Sequence, residues 1–235
     1  MIGATVVSPA YRHLEKESVS RFKKFTGITE VEVVRCRDKD GFNPKLNLDK
    51  LLGRKKIVFF DVDWWAVQPI PKSLFESDAW GGVQDSATWN PRAYPGIDCG
   101  LFKLDKTRYI NSGFMSFDLS NPLHRKVFQL ARRLSVKKGG KAVDPTDQGY
   151  LNIALQRLNV PQTMWPMSFN FYVLAAVWGQ VPYIPRVLHG IHAAGFPLKH
   201  KKHALQAQAA IFDMVPAPMC IEAVKFHHAC QFELA

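Results

Sequence analysis

The sequence predicts a single α/β domain with a central, mostly parallel sheet flanked by helices. Two observations support this prediction. Strand-like and helix-like segments alternate along the first part of the chain in the order β-α-β-α-β. The run 57–60, IVFF, is apolar at every position, as expected of a strand that is covered on both faces. At 235 residues the chain is long enough to bury the core that such a sheet requires.

Local patterns give the order of the predicted elements. No internal repeat divides the chain, and the stretch 76–100, rich in Trp, Gly and Pro, has no regular pattern and yields no predicted element. Strands are predicted at 4–8, 31–34, 57–60 and 109–120, and helices at 9–27, 46–52, 121–140 and 146–158.

Two helix ends are predicted from capping residues. Gly27 is expected to close the first helix, because glycine readily adopts the left-handed conformation found there. Asn121 is expected to cap the helix 121–140, with Pro122 at its first position. The buried face of that helix is predicted to be the apolar stripe Leu123, Val127, Leu130 and Leu134.

Charge narrows the classes of partner. Lysine and arginine total 31 against 20 acidic residues, a formal charge of +11, which favours anionic partners such as phosphorylated small molecules. Peripheral contact with an acidic membrane surface is compatible with this charge. The basic residues lie in short clusters and match no nucleic-acid-binding motif, so no nucleic-acid partner is expected.

Hydropathy and the cysteine pattern indicate the cellular compartment and the redox state that we expect. No apolar run approaches the ~20 residues of a membrane-spanning helix, and the N-terminus lacks the pattern of a signal peptide, so a cytoplasmic location is expected. The four cysteines form no CxxC pair, which disfavours a disulfide framework or a zinc ribbon.

An acidic pair follows the apolar strand. Asp61 and Asp63 come at the carboxyl end of the run 57–60, where open α/β sheets bind their ligands. In an extended chain the two side chains point to one side, and they have no basic neighbour in sequence. A hard divalent cation between them, shared with a phosphorylated ligand, is therefore predicted. The alternative is a turn in which the aspartates cap the next helix.

Two enzyme classes begin with an apolar strand followed by DxD. In aspartate-nucleophile phosphatases the first aspartate attacks phosphate. That motif continues with small residues, whereas Trp64 and Trp65 stand at those places here. The DxD of glycosyltransferases that use nucleotide sugars tolerates bulky aromatic residues after it.

Four segments in order resemble one family. FFDVDWW, INSGFMSFD, TDQGYLNIAL and HAAGFPLK resemble the DxD, N-[SA]-G, DQ-x-x-LN and H-x-x-G-x-x-K segments of the GT-A glycosyltransferases, most closely of family 8. The resemblance extends from residue 4 to about residue 199. It implies a Rossmann-like GT-A domain over 1–203, with a nucleotide-binding half at 1–65 and an acceptor and sugar half at 66–203. The segment 204–235 matches nothing and is treated as an extension of unknown role.

The resemblance also implies roles for individual residues. Asp61, Asp63 and His192 would hold Mn²⁺ or Mg²⁺ against the donor diphosphate, and His189 is a rival for the histidine position. Asn111 would hold hydroxyls of the donor sugar, unless it is a turn residue. The other implied site residues are Asp147 (donor sugar, or only a helix N-cap), Gln148 (beside the anomeric carbon), Ser8 and Tyr11 (base and ribose), and Lys45 and Lys199 (phosphates or sugar).

The predicted activity is metal-dependent transfer of a sugar from a nucleoside-diphosphate sugar, UDP-linked, to a glycan or glycoprotein acceptor. Family 8 implies retention of the anomeric configuration. Two alternatives stay open: an aspartate-nucleophile phosphatase, for which 144–147 offers the second acidic pair, and a noncatalytic module that binds nucleotide or carbohydrate.

Overall fold

The computed structural model describes residues 1–37, 43–66, 68–89, 91, 94–136, 146–172 and 187–189, which form two sheets with helices around them. The strands are β1 (Ile2–Val7), β2 (Val31–Arg35), β3 (Lys56–Phe60), β4 (Trp65–Ala66), β5 (Trp80–Gln84), β6 (Ile110–Asp118), β7 (Gln162–Trp165), β8 (Phe171–Tyr172) and β9 (Val187–His189). The α-helices are α1 (Arg12–Thr26), α2 (Asn43–Leu46), α3 (Leu48–Leu51), α4 (Tyr94–Phe102), α5 (Pro122–Ser135) and α6 (Asp147–Arg157). Short 3₁₀ helices lie at Pro9–Tyr11, Lys72–Phe75, Ser86–Trp89, Lys106–Arg108 and Met167–Phe169.

The main sheet has six strands in the order β2-β1-β3-β6-β5-β7. Its pairs β1–β2, β1–β3 and β5–β7 are parallel, whereas β6 runs antiparallel to both of its neighbours. The predicted α/β fold with a mostly parallel central sheet is therefore confirmed. A second, small sheet joins β4, β9 and β8 in that order.

The central strand β3 is buried on both faces, as its sequence predicted. Ile57 and Phe59 belong to one apolar cluster, whereas Val58 and Phe60 belong to another. The first cluster includes residues of α5 and α6, and the second includes Phe22 of α1, whose ring stacks on that of Phe60 with centroids 4.1 Å apart. Alternate side chains of a strand face opposite sides of the sheet, so a two-sided core requires an unbroken apolar run.

The predicted helix caps are confirmed. Gly27 adopts a left-handed φ of 68° and its N–H donates to the carbonyl of Lys23. Oδ1 of Asn121 accepts a hydrogen bond from the N–H of Leu123 at 2.9 Å, and Pro122 is the first residue of α5. Within the described residues α5 ends at Ser135, and 137–140 lies outside them.

The predicted apolar stripe of α5 is confirmed in part, because Leu123 and Leu130 pack against the main apolar cluster but are only partly buried. Of the stripe Leu123, Val127, Leu130 and Leu134, only Val127 is fully buried. The buried face also carries aromatic and small residues that pack on the sheet, where the ring of Phe128 lies 5.0 Å from that of Phe117. The buried residues are His124, Val127, Phe128 and Ala131.

The unassigned stretch 76–100 contains β5 and α4. Sequence patterns miss β5 because it carries Gly81 and Gly82, and glycine is depleted in strands. A Cβ added at Gly81 would collide with the ring of Trp165 and lie 2.5 Å from Oγ of Ser116. These glycines mark a close approach of side chains to the sheet, which local propensity does not reveal. No helix within the described ranges is long and apolar enough to cross a membrane.

Candidate active site

The acidic pair lies in a tight turn directly after β3. The N–H of Asp61 donates to the carbonyl of Gly113 at 2.8 Å, which extends the pairing of β3 with β6 by one residue. The N–H of Trp64 then donates to the carbonyl of Asp61 at 2.9 Å, which closes a turn over 61–64. The expected extended geometry, with both carboxylates on one side of a strand, is therefore wrong.

The tryptophans of this turn belong to the core. Trp64 is 0% and Trp65 2% exposed, and the ring of Trp64 lies 4.8 Å from that of Phe114. The next regular element after the turn is β4, so the alternative in which the aspartates cap a following helix is also wrong. Burial of two tryptophans fixes the turn against the sheet edge.

Lys45, from α2, supplies a positive charge to the acidic pair. Its Nζ lies 2.8 Å from Oδ1 of Asp61, 3.0 Å from Oδ2 of Asp147 and 3.3 Å from Oγ of Ser112. Oγ of Ser112 in turn donates to Oδ2 of Asp147 at 3.0 Å. An ammonium group has three N–H donors, and these three oxygens match them. We call these four residues the Lys45 cluster.

Electrostatics favour the charged form of Lys45. Burial lowers the pKa of its ammonium group, but the charges of Asp147 and Asp61 and their hydrogen bonds together outweigh burial, so the pKa is raised. The expectation that Asp61 lacks a basic neighbour holds only along the chain. In space, the ammonium group of Lys45 in α2 offsets the charge of the Asp61 carboxylate.

Asp147 is the first residue of α6 and not its N-cap. Thr146 is the cap, and its Oγ1 accepts from the N–H of Gly149 at 3.5 Å. Asp147 is 4% exposed and its side chain turns towards the Lys45 cluster. The capping alternative for Asp147 is therefore wrong.

A second group of polar side chains surrounds Asp85, the residue after β5. Oδ2 of Asp85 accepts from Nδ2 of Asn111 at 3.0 Å and from Nε2 of Gln148 at 2.9 Å. Oε1 of Gln148 accepts from the N–H of Ser112 at 3.0 Å, and Oδ1 of Asn111 accepts from Nδ2 of Asn170 at 2.8 Å. We call Asp85, Asn111, Gln148 and Asn170 the Asp85 network.

An irregularity of the sheet brings both groups to one place. Gly82 pairs with Met115, but the next residue of β5, Val83, pairs with Asn111. The segment 112–114 is therefore extra on β6, and the strand bulges there. Because of the bulge, Asn111 reaches the Asp85 network while its neighbour Ser112 reaches the Lys45 cluster. Asn111 lies in β6, so the turn alternative for it is wrong.

The structure thus unites five of the predicted site residues and adds three. Asp85 and Asn170 follow elements without a recognised motif, and Ser112 lies inside a motif but had no assigned role. The only sequence signal for Asp85 is its place after a strand, and that strand was not recognised. The five residues that the structure brings together are Lys45, Asp61, Asn111, Asp147 and Gln148.

The remaining five predicted residues fall into three groups. Asp63 lies in the turn 61–64 directly after β3. Ser8 and Tyr11 lie at the carboxyl end of β1, which is the neighbour of β3 in the sheet. His192 and Lys199 lie outside the described residues. Across the part of the chain that the structure describes, no group of three His, Cys, Asp or Glu side chains is arranged to hold a metal ion.

The donor set of the turn still suits a hard divalent cation. Asp61 and Asp63 offer carboxylate oxygens, the ligands that Mg²⁺ and Mn²⁺ prefer. The side chain of Asp61 is 26% exposed, so a ligand can reach it, whereas Asp63 is only 7% exposed. One oxygen of Asp61 is engaged by Lys45.

Comparison with known proteins identifies the fold. No family model matches the sequence, and no curated protein matches it. The galactosyltransferase LgtC, solved with donor and acceptor sugar analogues, is 15% identical over 94% of this chain and 100% of its own, with a TM-score of 0.60. The glycosyltransferase GlyE of Streptococcus pneumoniae, in its apo form, is 12% identical over 97% of this chain and 64% of its own, with a TM-score of 0.58. Mouse xyloside xylosyltransferase 1 is 11% identical over 83% of this chain and 99% of its own, with a TM-score of 0.51.

At these identities a structural likeness establishes the fold. Each of these proteins is a GT-A glycosyltransferase, and the likeness extends over most of the chain. The chain therefore adopts the GT-A glycosyltransferase fold that its four motifs predicted.

Proposed function

We propose that this protein is a metal-dependent glycosyltransferase that moves a sugar from a UDP-linked donor to a hydroxyl of a glycan or glycoprotein. The observation that supports it is the convergence of the Lys45 cluster and the Asp85 network at the carboxyl end of β3, in a chain with the GT-A fold. Ligands of open α/β sheets bind at this edge.

The nucleotide and its phosphates are assigned to the first half of the chain, 1–65. Ser8 and Tyr11 would contact the base and ribose from the carboxyl end of β1. Asp61 and Asp63, with His192, would hold Mn²⁺ or Mg²⁺. When bound, that ion neutralises charge on the departing diphosphate. Lys199 would add a second positive charge at the phosphates.

Lys45 has a role that follows from its contacts. Its ammonium group joins Asp61 of the first half to Ser112 and Asp147 of the second half, 66–203. It would thereby keep the two carboxylates close without mutual repulsion, and its charge would favour the donor phosphates.

The donor sugar is assigned to Asn111, Asp147 and Gln148. Gln148 would lie beside the anomeric carbon, and an amide is a poor nucleophile, so a front-face displacement with retention is favoured over a covalent intermediate. The leaving phosphate would accept the proton of the acceptor hydroxyl. One of the matched LgtC structures carries an active-site glutamine-to-glutamate substitution, so an active-site glutamine is a feature of that protein.

A thermal-shift screen of UDP and UDP-sugars, with and without Mn²⁺, tests the donor and metal assignments. A ligand that binds only the folded protein raises its melting temperature. We expect a rise with UDP that is larger in the presence of Mn²⁺. Equal melting temperatures under all conditions would contradict the proposal. Product stereochemistry, measured by NMR, tests retention, and an inverted product would exclude the front-face displacement.

A phosphatase is the second candidate, and one observation favours it. Lys45 lies between Asp61 and Asp147, and an aspartate-nucleophile phosphatase also needs a lysine near its acidic residues. Hydrolysis of p-nitrophenyl phosphate that is lost in Asp61→Asn, without any effect of UDP-sugars, would favour this candidate. Binding of UDP and UDP-sugar without transfer or hydrolysis would instead point to a noncatalytic module.

A further inference from the structure

Asp85 is itself held firmly in place. It is 8% exposed, and its backbone N–H donates to the carbonyl of Tyr109 at 2.9 Å. Its Oδ1 accepts from the N–H of Ala87 at 2.8 Å, and its carbonyl accepts from Oγ1 of Thr88 at 2.9 Å. The carboxylate is thus fixed at the start of the 3₁₀ helix Ser86–Trp89, with Oδ2 directed away from that turn towards β6 and α6.

Asp85 determines which way two amide side chains face. A carboxylate oxygen only accepts hydrogen bonds, so Oδ2 of Asp85 requires the NH₂ groups of Asn111 and Gln148 on its side. The opposite ends of both amides meet backbone N–H groups, which only donate: Gly113 N–H at Oδ1 of Asn111 and Ser112 N–H at Oε1 of Gln148. The orientation of each amide is therefore unambiguous, although oxygen and nitrogen look alike in shape.

The side-chain amide of Asn170 is oriented by the same hydrogen-bond network. Because Oδ1 of Asn111 is an acceptor, it fixes Nδ2 of Asn170 towards itself at 2.8 Å. Asn170 is 6% exposed, and its Oδ1 accepts no hydrogen bond from the described residues. The Asp85 carboxylate, together with the N–H groups of Ser112 and Gly113, thus sets the direction of three side chains.

We propose that Asp85 is a positioning residue that orients the amides of Gln148 and Asn111 towards the donor sugar. This inference rests on the proposed function, because the contact of those two amides with the donor sugar is part of that proposal. Asp85 acts as a hydrogen-bond acceptor for two NH₂ groups and takes no part in bond formation or cleavage.

Two substitutions of Asp85 distinguish the effect of its hydrogen-bond acceptor from the effect of its negative charge. Asp85→Asn retains an oxygen that can accept from both NH₂ groups, at the cost of a donor facing the Ala87 N–H. Asp85→Ser retains an acceptor for that N–H, as serine does in similar turns, but loses the atom that reaches the amides. Asp49→Ala is the matched control, since Asp49 is a buried carboxylate whose Oδ2 accepts from Nη2 of Arg132 at 3.0 Å, in contact between α3 and α5.

The first measurement is the affinity for UDP-glucose and UDP-galactose relative to UDP, by calorimetry with Mn²⁺. For the UDP-sugar that binds the wild-type protein, we expect Asp85→Ser to weaken its binding relative to UDP by about tenfold, the loss of roughly one well-placed hydrogen bond. Asp85→Asn should stay within about threefold of wild type, and Asp49→Ala should leave the ratio unchanged. Equal losses in Asp85→Asn and Asp85→Ser would show that charge matters and overturn the inference, as would no loss in Asp85→Ser.

The second measurement needs no ligand. The side-chain NH₂ resonances of Gln148 and Asn111 in ¹⁵N spectra should be dispersed in the wild-type protein and in Asp85→Asn. In Asp85→Ser they should move towards the positions of solvent-exposed amides, while other resonances keep their dispersion. If wild type binds no nucleotide sugar, the proposed function fails. Unchanged NH₂ resonances in Asp85→Ser would show separately that Asp85 does not orient the amides.

Discussion

The ammonium group of Lys45 lies 2.8 Å from Oδ1 of Asp61, so α2 is tied to the turn after β3. The same group holds Asp147, whose side chain is 5% exposed. We expect Lys45→Met to destabilise the protein by about 3 kcal/mol, because it leaves a buried carboxylate without its opposite charge. Urea unfolding at neutral pH measures the difference.

An exposed lysine provides the control for this prediction. Lys55 pairs with Glu30 at 2.9 Å and Glu32 at 3.4 Å on the surface, where solvent screens the interaction. Lys55→Met should leave the unfolding midpoint nearly unchanged. If both variants unfold at the same urea concentration, the Lys45 cluster does not stabilise the fold.

The acidic turn predicts a selective loss of metal affinity. We expect Asp61→Asn and Asp63→Asn each to weaken Mn²⁺ binding at least about tenfold, because substitution of even an outer-sphere partner costs 10–100-fold. Electron paramagnetic resonance of unbound Mn²⁺ measures the affinity directly. Asp78→Asn, at a fully exposed aspartate, is the control. Mn²⁺ affinity that is equal in all three variants would place the metal elsewhere.

Two glycines predict opposite responses to the same substitution. Gly81→Ala should destabilise the protein by about 1–3 kcal/mol, because the new methyl group meets the buried ring of Trp165. Gly100→Ala should stabilise it by about 0.5–1 kcal/mol, because Gly100 lies in α4 with nothing within 4 Å of the new Cβ. Melting temperatures of the two variants should therefore move in opposite directions. A lower melting temperature in Gly100→Ala would contradict this.

His124 predicts a loss of stability in mild acid. Burial lowers its pKa below 6.5, an effect larger than the opposing one of Asp118, and its Nδ1 accepts from the Asp118 N–H at 2.9 Å. As the pH falls below about 6.5, the unfolded chain binds this proton before the folded protein does, so folding weakens until the folded pKa is passed.

An asparagine at this position isolates the effect. His124→Asn offers Oδ1 as an acceptor for the same N–H but does not titrate. Between pH 7 and pH 5 the wild-type protein should lose more stability in urea than His124→Asn does. The other groups titrate in both proteins and cancel in the comparison. Parallel pH profiles would show that His124 is not responsible.

The sequence was informative where local pattern decides structure. The apolar run in β3 required a strand buried on both faces, and capping chemistry located the ends of α1 and α5. Gly81 and Gly82 concealed β5, because their place in the sheet depends on Trp165, far along the chain. With β5 unrecognised, Asp85 had no predicted position at the sheet edge.

The membership of the candidate site was predicted in part, and the contacts between its members were not. Asp61 and Asp147 were both assigned to it, yet the lysine between them could not be placed from the sequence, since its partners are distant in the chain. The turn at Asp61 was expected to be extended, because spacing alone does not reveal the hydrogen bond from Trp64. Pairings that depend on tertiary packing carry no local signal.

The bulge in β6 limits how the sequence of this protein can evolve. A substitution between Asn111 and Met115 alters only the contacts of the replaced side chain, such as those of Ser112 with Lys45 and Asp147. Adding or deleting a residue there would shift Asn111 or Ser112 out of place, and with it the Asp85 network or the Lys45 cluster. The length of the segment 112–114 is therefore constrained separately from its residue types. We expect related sequences to retain this length even where the residues themselves differ.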